Sequence, residues 1–185
     1  MPSVRPSKPR KPPTPLTIEG LLAYSARVLS ARAQTTSELR QKLTRRAAER
    51  SDVDEVIRRL KENGYLNDGR FAESFANWRR DNEGFGKTRV LRDLMSRRVA
   101  PELAKKAIET AYRGCDEAAL IEQFLQRKFR GKNLGALLQD EKHLASAFRR
   151  LRTAGFSAGG SITVLKRYAA EAERLEEMNE DEAAE

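Results

Sequence analysis

Three pairs of aliphatic residues recur along this chain with one spacing, and this repeat restricts the folds that the sequence can adopt. The members of each pair are fourteen residues apart, and the pairs are Leu43 with Ile57, Leu94 with Ile108, and Leu151 with Leu165. Four residues before each first member, and one before each second member, stand further apolar residues: Leu39, Val90 and Ala147, then Val56, Ala107 and Val164. Such self-similarity is typical of repeat proteins, whose stacked units share a core. The spacing alone leaves a second interpretation open, in which the amphipathic helices of one ordinary domain match by coincidence.

The apolar residues follow helical spacing throughout, and no segment alternates as a strand would. Start signals agree, because Thr35 and Glu38 form a capping box and Pro101 suits a first helical turn. Gly64, Gly114 and Gly155 are predicted to end helices. We therefore predict an all-α fold of three tandem three-helix repeats, each similar to a helix-turn-helix unit, that form an elongated curved body.

The repeat predicts a division of the chain into five segments. Residues 1–16 are a basic, proline-rich arm that we expect to be disordered, and residues 171–185 are an acidic C-terminal tail. The three repeats between them are predicted to span residues 17–66, 67–113 and 114–170.

Charge is distributed unevenly over these segments. The chain has 36 Lys and Arg against 27 Asp and Glu, a net charge of +9. Because residues 1–16 contribute +4 and residues 171–185 contribute −7, the body over residues 17–170 carries +12. Such a body favours an anionic partner, nucleic acid first, although a helical protein with solvated arginine faces has the same composition. The acidic tail either aids solubility or folds back on the body and competes with that partner.

Most of the candidate contact residues lie on the second helix of each repeat. They are Arg40, Lys42, Arg45 and Arg46 in the first repeat, Lys87, Arg89, Arg92, Arg97 and Arg98 in the second, and Arg149, Arg150 and Arg152 in the third. If the repeats stack regularly, these cations would form a basic strip suited to phosphates or carboxylates. Arg32 and Arg79 are second choices, since each could instead cap its own repeat. Trp78, Phe71 and Phe75 fall at core spacing, which argues against single-strand binding by base stacking.

No enzyme, cofactor or metal site is predicted. Gly84, Gly86 and Lys87 resemble the end of a phosphate-binding P-loop, but its first glycine is replaced by Asp81, so we interpret these glycines as an adaptable loop. The single cysteine and the single histidine exclude an intramolecular disulfide and a zinc constellation. With no apolar run of eighteen residues and no secretory signal at the N-terminus, a cytoplasmic location is expected.

The most distinctive stretch of the chain is Asn63-Gly64-Tyr65-Leu66-Asn67-Asp68-Gly69-Arg70-Phe71-Ala72. With residues 37–43 before it and residues 84–94 after it, the chain resembles the RecX family, well over residues 20–113 and more loosely over residues 114–170. In physical terms, Gly64 would end one helix, Tyr65 and Leu66 would cover the core, and Asn67 or Asp68 would cap the next helix. Phe71 is also interpreted as architectural.

The resemblance implies a function that the residues alone do not reach. RecX-like proteins bind the RecA recombinase, chiefly its nucleoprotein filament, and limit filament growth or promote disassembly. They thereby restrain ATP hydrolysis, strand exchange and coprotease activity in homologous recombination, DNA repair and the SOS response. The resemblance thus implies RecA and the RecA–DNA filament as partners, and it leaves direct DNA binding open. From the residues themselves we expect no membrane association, since no long apolar run is present, and a monomer, since no coiled-coil seam or other obvious dimer face is found. The alternative is a transcriptional regulator that reads duplex DNA with a helix-turn-helix unit.

Overall fold

The computed structural model describes residues 15–169 and 172, and ten α-helices without a strand make up this part of the chain. The all-α prediction is therefore confirmed. The predicted basic arm, apart from its last two residues, and the predicted acidic tail, apart from Ala172, lie outside the described residues. The chain divides into two compact units, residues 1–67 and residues 68–185.

The first unit contains three helices: α1 (Ile18–Ala31), α2 (Thr36–Thr44) and α3 (Arg50–Glu62). The predicted capping box is confirmed at the start of α2. The Glu38 amide donates to Thr35 Oγ1, and the Thr35 amide donates to a Glu38 carboxylate oxygen, each over 3.1 Å. These bonds satisfy amides that a helix start leaves without an intrahelical partner.

One apolar cluster holds the first unit together. Its buried members are Leu21, Leu39, Leu43, Val53, Val56, Ile57, Leu60 and Leu66. The four positions that the repeat singled out in this unit (39, 43, 56 and 57) are all among them. The periodicity therefore marks the inward faces of α2 and α3.

The second unit contains seven helices: α4 (Asp68–Trp78), α5 (Lys87–Ser96), α6 (Pro101–Ala111), α7 (Glu117–Lys128), α8 (Leu134–Leu137), α9 (Glu141–Ala154) and α10 (Ala158–Leu165). A π-helical turn, Arg79–Glu83, continues α4 as far as Gly84, whose φ is +63°. Pro101 occupies the first turn of α6, as predicted. The short helix α8 lies in the long connection between α7 and α9.

Two apolar clusters form the core of the second unit. The equivalents of the buried positions in α2 and α3 are again buried: Val90, Leu94, Ala107 and Ile108 in one cluster, and Ala147, Leu151, Val164 and Leu165 in the other. Phe85 and Leu120 pack against both clusters. The same spacing thus selects the core three times, although the two clusters of the second unit share side chains.

The two halves of the second unit meet where Gly86 approaches Gly155. The Gly86 amide donates to the Ala154 carbonyl over 2.8 Å, and the Thr88 amide donates to the Gly155 carbonyl over 3.2 Å. A β-carbon on Gly86 would lie 2.3 Å from the Gly155 carbonyl oxygen. The interpretation of this segment as an adaptable loop is therefore wrong, because the glycine is required for close backbone contact. The same two amides are not available to a phosphate, which also argues against a P-loop.

Tyr112 closes this junction from α6. Its hydroxyl donates to the Phe85 carbonyl over 2.6 Å, and only 3% of the residue is exposed. Burial raises the pKa of Tyr112 well above its ordinary value, because the phenolate would lose its hydration. A raised folded-state pKa means that the stabilisation is complete below about pH 10 and is lost as the pH rises further.

We expect Tyr112 to remain protonated in the folded protein above pH 10. The measurement is a tyrosinate absorbance titration, with circular dichroism recorded on the same samples. Subtracting the titration of Tyr112→Phe isolates the contribution of this residue. Ionisation of that residue near pH 10 with helicity intact would contradict the expected result.

Candidate interaction surface

The basic residues of the first unit differ in how they are engaged. Arg40 forms an ion pair with Asp54 of α3 on the surface, and Lys42 donates to Gln34 Oε1 over 2.8 Å. The Arg46 guanidinium lies 4.4 Å from the centroid of the Tyr24 ring. Arg45 is exposed and makes no ion pair or side-chain hydrogen bond with the described residues. Exposed pairs such as Arg40–Asp54 contribute little and exchange readily, so Arg40 and Arg45 are the accessible cations here.

Helix α5 and the two residues that follow it, Arg97 and Arg98, carry accessible and engaged cations in alternation. Lys87, Arg92 and Arg98 are exposed, and none of the three pairs with another described side chain. Arg89 and Arg97, in contrast, are half-buried. Arg89 donates to Asp93 over 3.2 Å, and Arg97 lies 5.0 Å from the Phe75 ring centroid. The structure therefore separates the predicted contact residues of α5 into a free set and a set that packs on its own unit.

Two members of the free set occupy unfavourable positions: one is a helix start, which disfavours a cation, and the other has a backbone conformation that disfavours any side chain. Lys87 is the first residue of α5, where the helix dipole disfavours positive charge. Arg98 has a φ of +59°, and it is the one non-glycine residue with positive φ in residues 15–169 and 172. An L-residue in this conformation costs about 1 kcal/mol or more. The stability of the fold therefore gives no reason for a lysine at position 87 or for an arginine at position 98.

Arg79 lies inside the second unit rather than on its surface. Its guanidinium pairs with Glu83 and, over 2.5 Å, with Asp93 of α5, and the side chain is 18% exposed. It also lies 5.2 Å from the centroid of Phe75 and 5.1 Å from that of Phe85. These contacts join the end of α4 to α5. Arg79 therefore has a structural role within its own repeat, which is the alternative that the sequence left open for it.

We expect Asp93→Ala to lower the free energy of unfolding by about 2 kcal/mol, because Arg79 would keep a desolvated charge with one partner fewer. Asp54→Ala is the matched control, since it removes the exposed partner of Arg40 and should cost less than about 1 kcal/mol. Urea unfolding of both variants provides the comparison. Equal losses would show that the Arg79 pair is energetically a surface pair.

Two aromatic assignments made from the sequence are wrong. Tyr65 was predicted to cover the core and is 69% exposed, whereas its neighbour Leu66 is 3% exposed. Trp78 was placed at core spacing and is 52% exposed. The buried stripe of α4 runs through Ala72 and Ala76, and at 100° per residue it points Arg79 inward and Trp78 outward.

The remaining residues of the motif lie at the boundary of the two units. Gly64 follows α3 with a φ of +71°, and Asp68 is the first residue of α4. The Phe71 ring stacks on Phe75, with centroids 5.8 Å apart.

Sequence reasoning missed a cationic groove between the two halves of the second unit. It has a volume of about 410 Å³ and is lined by Phe85, Arg89, Phe124, Lys128, Ser146, Arg149, Arg150, Thr153 and Ala154. The lining contains four cations and no acidic residue. Arg149 and Arg150 were candidates as part of a strip along one kind of helix. Their approach to Lys128 of α7 and to two phenylalanine rings has no signal in the sequence, since it depends on packing between helices.

No other kind of site emerges from the part of the chain that the structure describes. There, no three or more His, Cys, Asp and Glu side chains are grouped so as to hold a metal ion. None of the helices in that part combines the length and the apolar character that crossing a membrane requires.

Comparison with known proteins relates this architecture to one family. Residues 22–60 match the family profile described as the first three-helix domain of RecX, and residues 67–108 match its second three-helix domain. The regulatory protein RecX of Deinococcus radiodurans is 36% identical over 156 residues, which are 84% of this chain and 71% of that protein. The regulatory protein RecX of Herminiimonas arsenicoxydans is 33% identical over 137 residues, 74% of this chain and 85% of that protein.

A solved structure supports the fold. The crystal structure of RecX from Lactobacillus salivarius superposes with a TM-score of 0.63 at 19% identity, covering 82% of this chain and 96% of that one. Tandem three-helix domains define a helical-repeat protein. The two domain matches and the identity to full relatives show more than the fold: the chain belongs to the RecX family of regulatory proteins.

Proposed function

We propose that this RecX-family protein binds RecA and the RecA–DNA filament, and that it limits filament growth or promotes filament disassembly. On this proposal, it reduces ATP hydrolysis, strand exchange and coprotease activity by RecA without catalysing a reaction itself. Family membership supports the regulatory role, and the basic surface supports an anionic partner such as a nucleoprotein filament.

The observation that carries the proposal is the free set of cations, which lies on α5 and just after its C-terminal end. Lys87 and Arg98 are exposed and unpaired, and they stand where a cation at a helix start or a side chain at positive φ opposes stability. A cost to the fold at an exposed position is expected where a side chain serves an external contact. We therefore assign Lys87, Arg92 and Arg98, with Arg40 and Arg45 of the first unit, to the contact surface. In this proposal Lys42, Arg46, Arg89 and Arg97 support that surface through their own packing.

The test measures DNA-dependent ATP hydrolysis by RecA as the protein is titrated in. A filament regulator should inhibit at amounts far below those needed to coat the DNA. A protein that only competes for DNA would inhibit near saturation, and its effect would fall steeply with salt concentration. Inhibition only at saturation would overturn the proposal in favour of simple DNA binding.

A second arm separates the proposal from a transcriptional regulator. Binding to a pool of duplex sequences should show no strong sequence preference if the partner is a filament. Selection of one duplex sequence by a factor of about 1,000 or more, with no effect on RecA, would identify a sequence-reading regulator instead.

A further inference from the structure

The cationic groove of the second unit combines features that select a particular kind of ligand. Its base is apolar: Phe124 is 3% exposed, Ala154 is 4% exposed, and Phe85 is half-buried. Its charge is not neutralised locally, because among the four lining cations only Arg89 has an acidic partner within the described residues. A ligand that fits must therefore present an apolar side chain together with several negative charges.

A second cavity adjoins the first and extends the same surface. It has a volume of about 280 Å³ and shares Phe85, Phe124 and Lys128 with the cationic groove, and its other lining residues are Asn82, Glu83 and Arg127. The Lys128 ammonium lies 5.7 Å from the centroid of the Phe124 ring, so this cation stands directly over the shared apolar surface. Two adjoining cavities can accept two apolar side chains that project from neighbouring turns of one segment.

The C-terminal part of this same chain has the matching chemistry. Residues 171–185 contain eight acidic residues and one arginine. They also contain Leu175 and Met178, three residues apart, with Glu176 and Glu177 between them. The two flexible apolar side chains complement the apolar surface of Phe85 and Phe124 that both cavities share, and the acidic residues complement the cations of the groove.

The covalent connection favours this segment over any free peptide of the same kind. Ala169 and Ala172 belong to the same apolar cluster as Phe124 and Ala154, so the tail leaves the half of the unit that carries the groove. Leu175 and Met178 stand three and six residues after Ala172, so an extended chain carries them up to about 10 Å and about 20 Å from it. A tether of this length gives an effective concentration on the order of 1 mM, which would fill a site of Kd about 0.1 mM to roughly 90%.

We propose that the cationic groove is a binding site for an acidic segment with apolar anchors, and that residues 173–185 of the same chain occupy it. Leu175 and Met178 enter the two cavities, while the acidic residues pair with Lys128, Arg149 and Arg150. The occupied groove is closed to other acidic or phosphate-bearing ligands. That last consequence rests on the proposed function, whereas occupancy of the groove does not.

The test uses the full chain and a fluorescent peptide of residues 171–185 as the probe. In the full-length variant Leu175→Ala/Met178→Ala the tail loses its anchors, so the added peptide should bind it at least tenfold more tightly than it binds the unaltered chain. Anisotropy measures both affinities. Equal affinities, or no binding to either chain, would overturn the proposal.

Further variants locate the contact. When added to the Leu175→Ala/Met178→Ala variant, the changes Arg149→Glu/Arg150→Glu should weaken peptide binding at least tenfold. Arg113→Glu, an exposed arginine of the same unit outside the groove, should change it less than threefold. A scrambled peptide of equal composition should bind at least fivefold more weakly, and equal binding by it would reduce the contact to diffuse charge and overturn the proposal.

Sedimentation distinguishes the tail of the same chain from that of a second copy. A concentration-independent monomer supports the intramolecular site, and a dimer that the Leu175→Ala/Met178→Ala change dissociates overturns it in favour of exchange between copies. RecA assays separate this proposal from the proposed function. If the chain binds the peptide but does not inhibit RecA, the groove proposal stands and the proposed function is rejected. If the chain inhibits RecA but does not bind the peptide, the proposed function stands and the groove proposal is rejected.

Discussion

Replacing Gly155 with alanine is expected to lower the free energy of unfolding of the second unit by about 2–5 kcal/mol. Gly155 has a φ of +92°, which disfavours an L-residue by about 1–2 kcal/mol. Its added β-carbon would also lie 2.2 Å from the Arg89 backbone nitrogen and 2.9 Å from the Arg89 Cα. These are backbone atoms, so the contact is relieved only by moving α5 away from α9, and overpacking of this kind costs about 1–3 kcal/mol more.

Gly86→Ala tests the opposite side of the same contact. Its φ of −77° is available to every residue, so this substitution isolates the steric effect. The new β-carbon would lie 2.3 Å from the Gly155 carbonyl oxygen, and we expect a loss of about 1–3 kcal/mol.

Two control glycines separate strain from contact. Gly64 has a φ of +71° and open space around it, so Gly64→Ala should cost only about 1 kcal/mol. Gly159 lies in α10 with nothing near its β-carbon position, so Gly159→Ala should leave stability unchanged or slightly higher. Urea unfolding followed by circular dichroism measures all four variants. A Gly155→Ala variant no less stable than Gly64→Ala would show that the backbone contact is not tight.

Reversing two charges of the free set, Arg92→Glu/Arg98→Glu, is expected to raise the protein concentration that half-inhibits RecA ATP hydrolysis by tenfold to a hundredfold. A charge-assisted contact contributes about 1.5 kcal/mol, so losing two of them corresponds to roughly a hundredfold at most before new repulsion is counted. Both side chains are exposed and unpaired in the second unit, so the fold should be unaffected by the loss of either.

Two single charge reversals at exposed arginines, Arg113→Glu and Arg45→Glu, are compared with this double variant. Arg113 lies outside the proposed contact set and should leave potency unchanged, whereas Arg45→Glu should weaken it several-fold. Circular dichroism establishes that helicity is retained in each. Full potency of the double reversal with intact helicity would reject the assignment of α5 to the contact surface.

Arg98→Gly refines this expectation because it removes the side chain and the backbone strain together. Arg98 stands four residues after Leu94, as Gly155 stands four residues after Leu151, so glycine already serves at the equivalent turn. The substitution should raise the free energy of unfolding by about 1 kcal/mol and lower potency several-fold. A variant that gains stability and keeps full potency would show that the arginine has no role in contact.

The candidate surface could be predicted from the sequence only as a set of cations. Lys87, Arg92 and Arg98 were all in that set, and so were Arg89 and Arg97, which the fold uses for packing. The i,i+4 spacing of Arg89 and Asp93 could have marked Arg89 as engaged, whereas the rings beneath Arg97 come from α4 and leave no signal near Arg97 in the sequence. The alignment of cations between repeats remains a prediction.

The predictions that rest on neighbouring residues were the dependable ones. The capping box of Thr35 and Glu38, the Pro101 start and the apolar positions of the repeat depend on hydrogen bonds and helical periodicity within a few residues. The sequence by itself therefore determined the all-α fold, the inward positions of α2, α3, α5, α6, α9 and α10, and the family.

Only the tertiary structure decided which side chains meet across the chain. Gly86 and Gly155 are 69 residues apart and touch through their backbones, while Lys128 and Arg149 come from different helices to line one groove. The inward turn of Arg79 and the exposure of Trp78 also follow from where α4 packs. The physical reason is that helix formation is governed by local bonding, whereas the proximity and burial of distant side chains depend on how completed helices pack against one another.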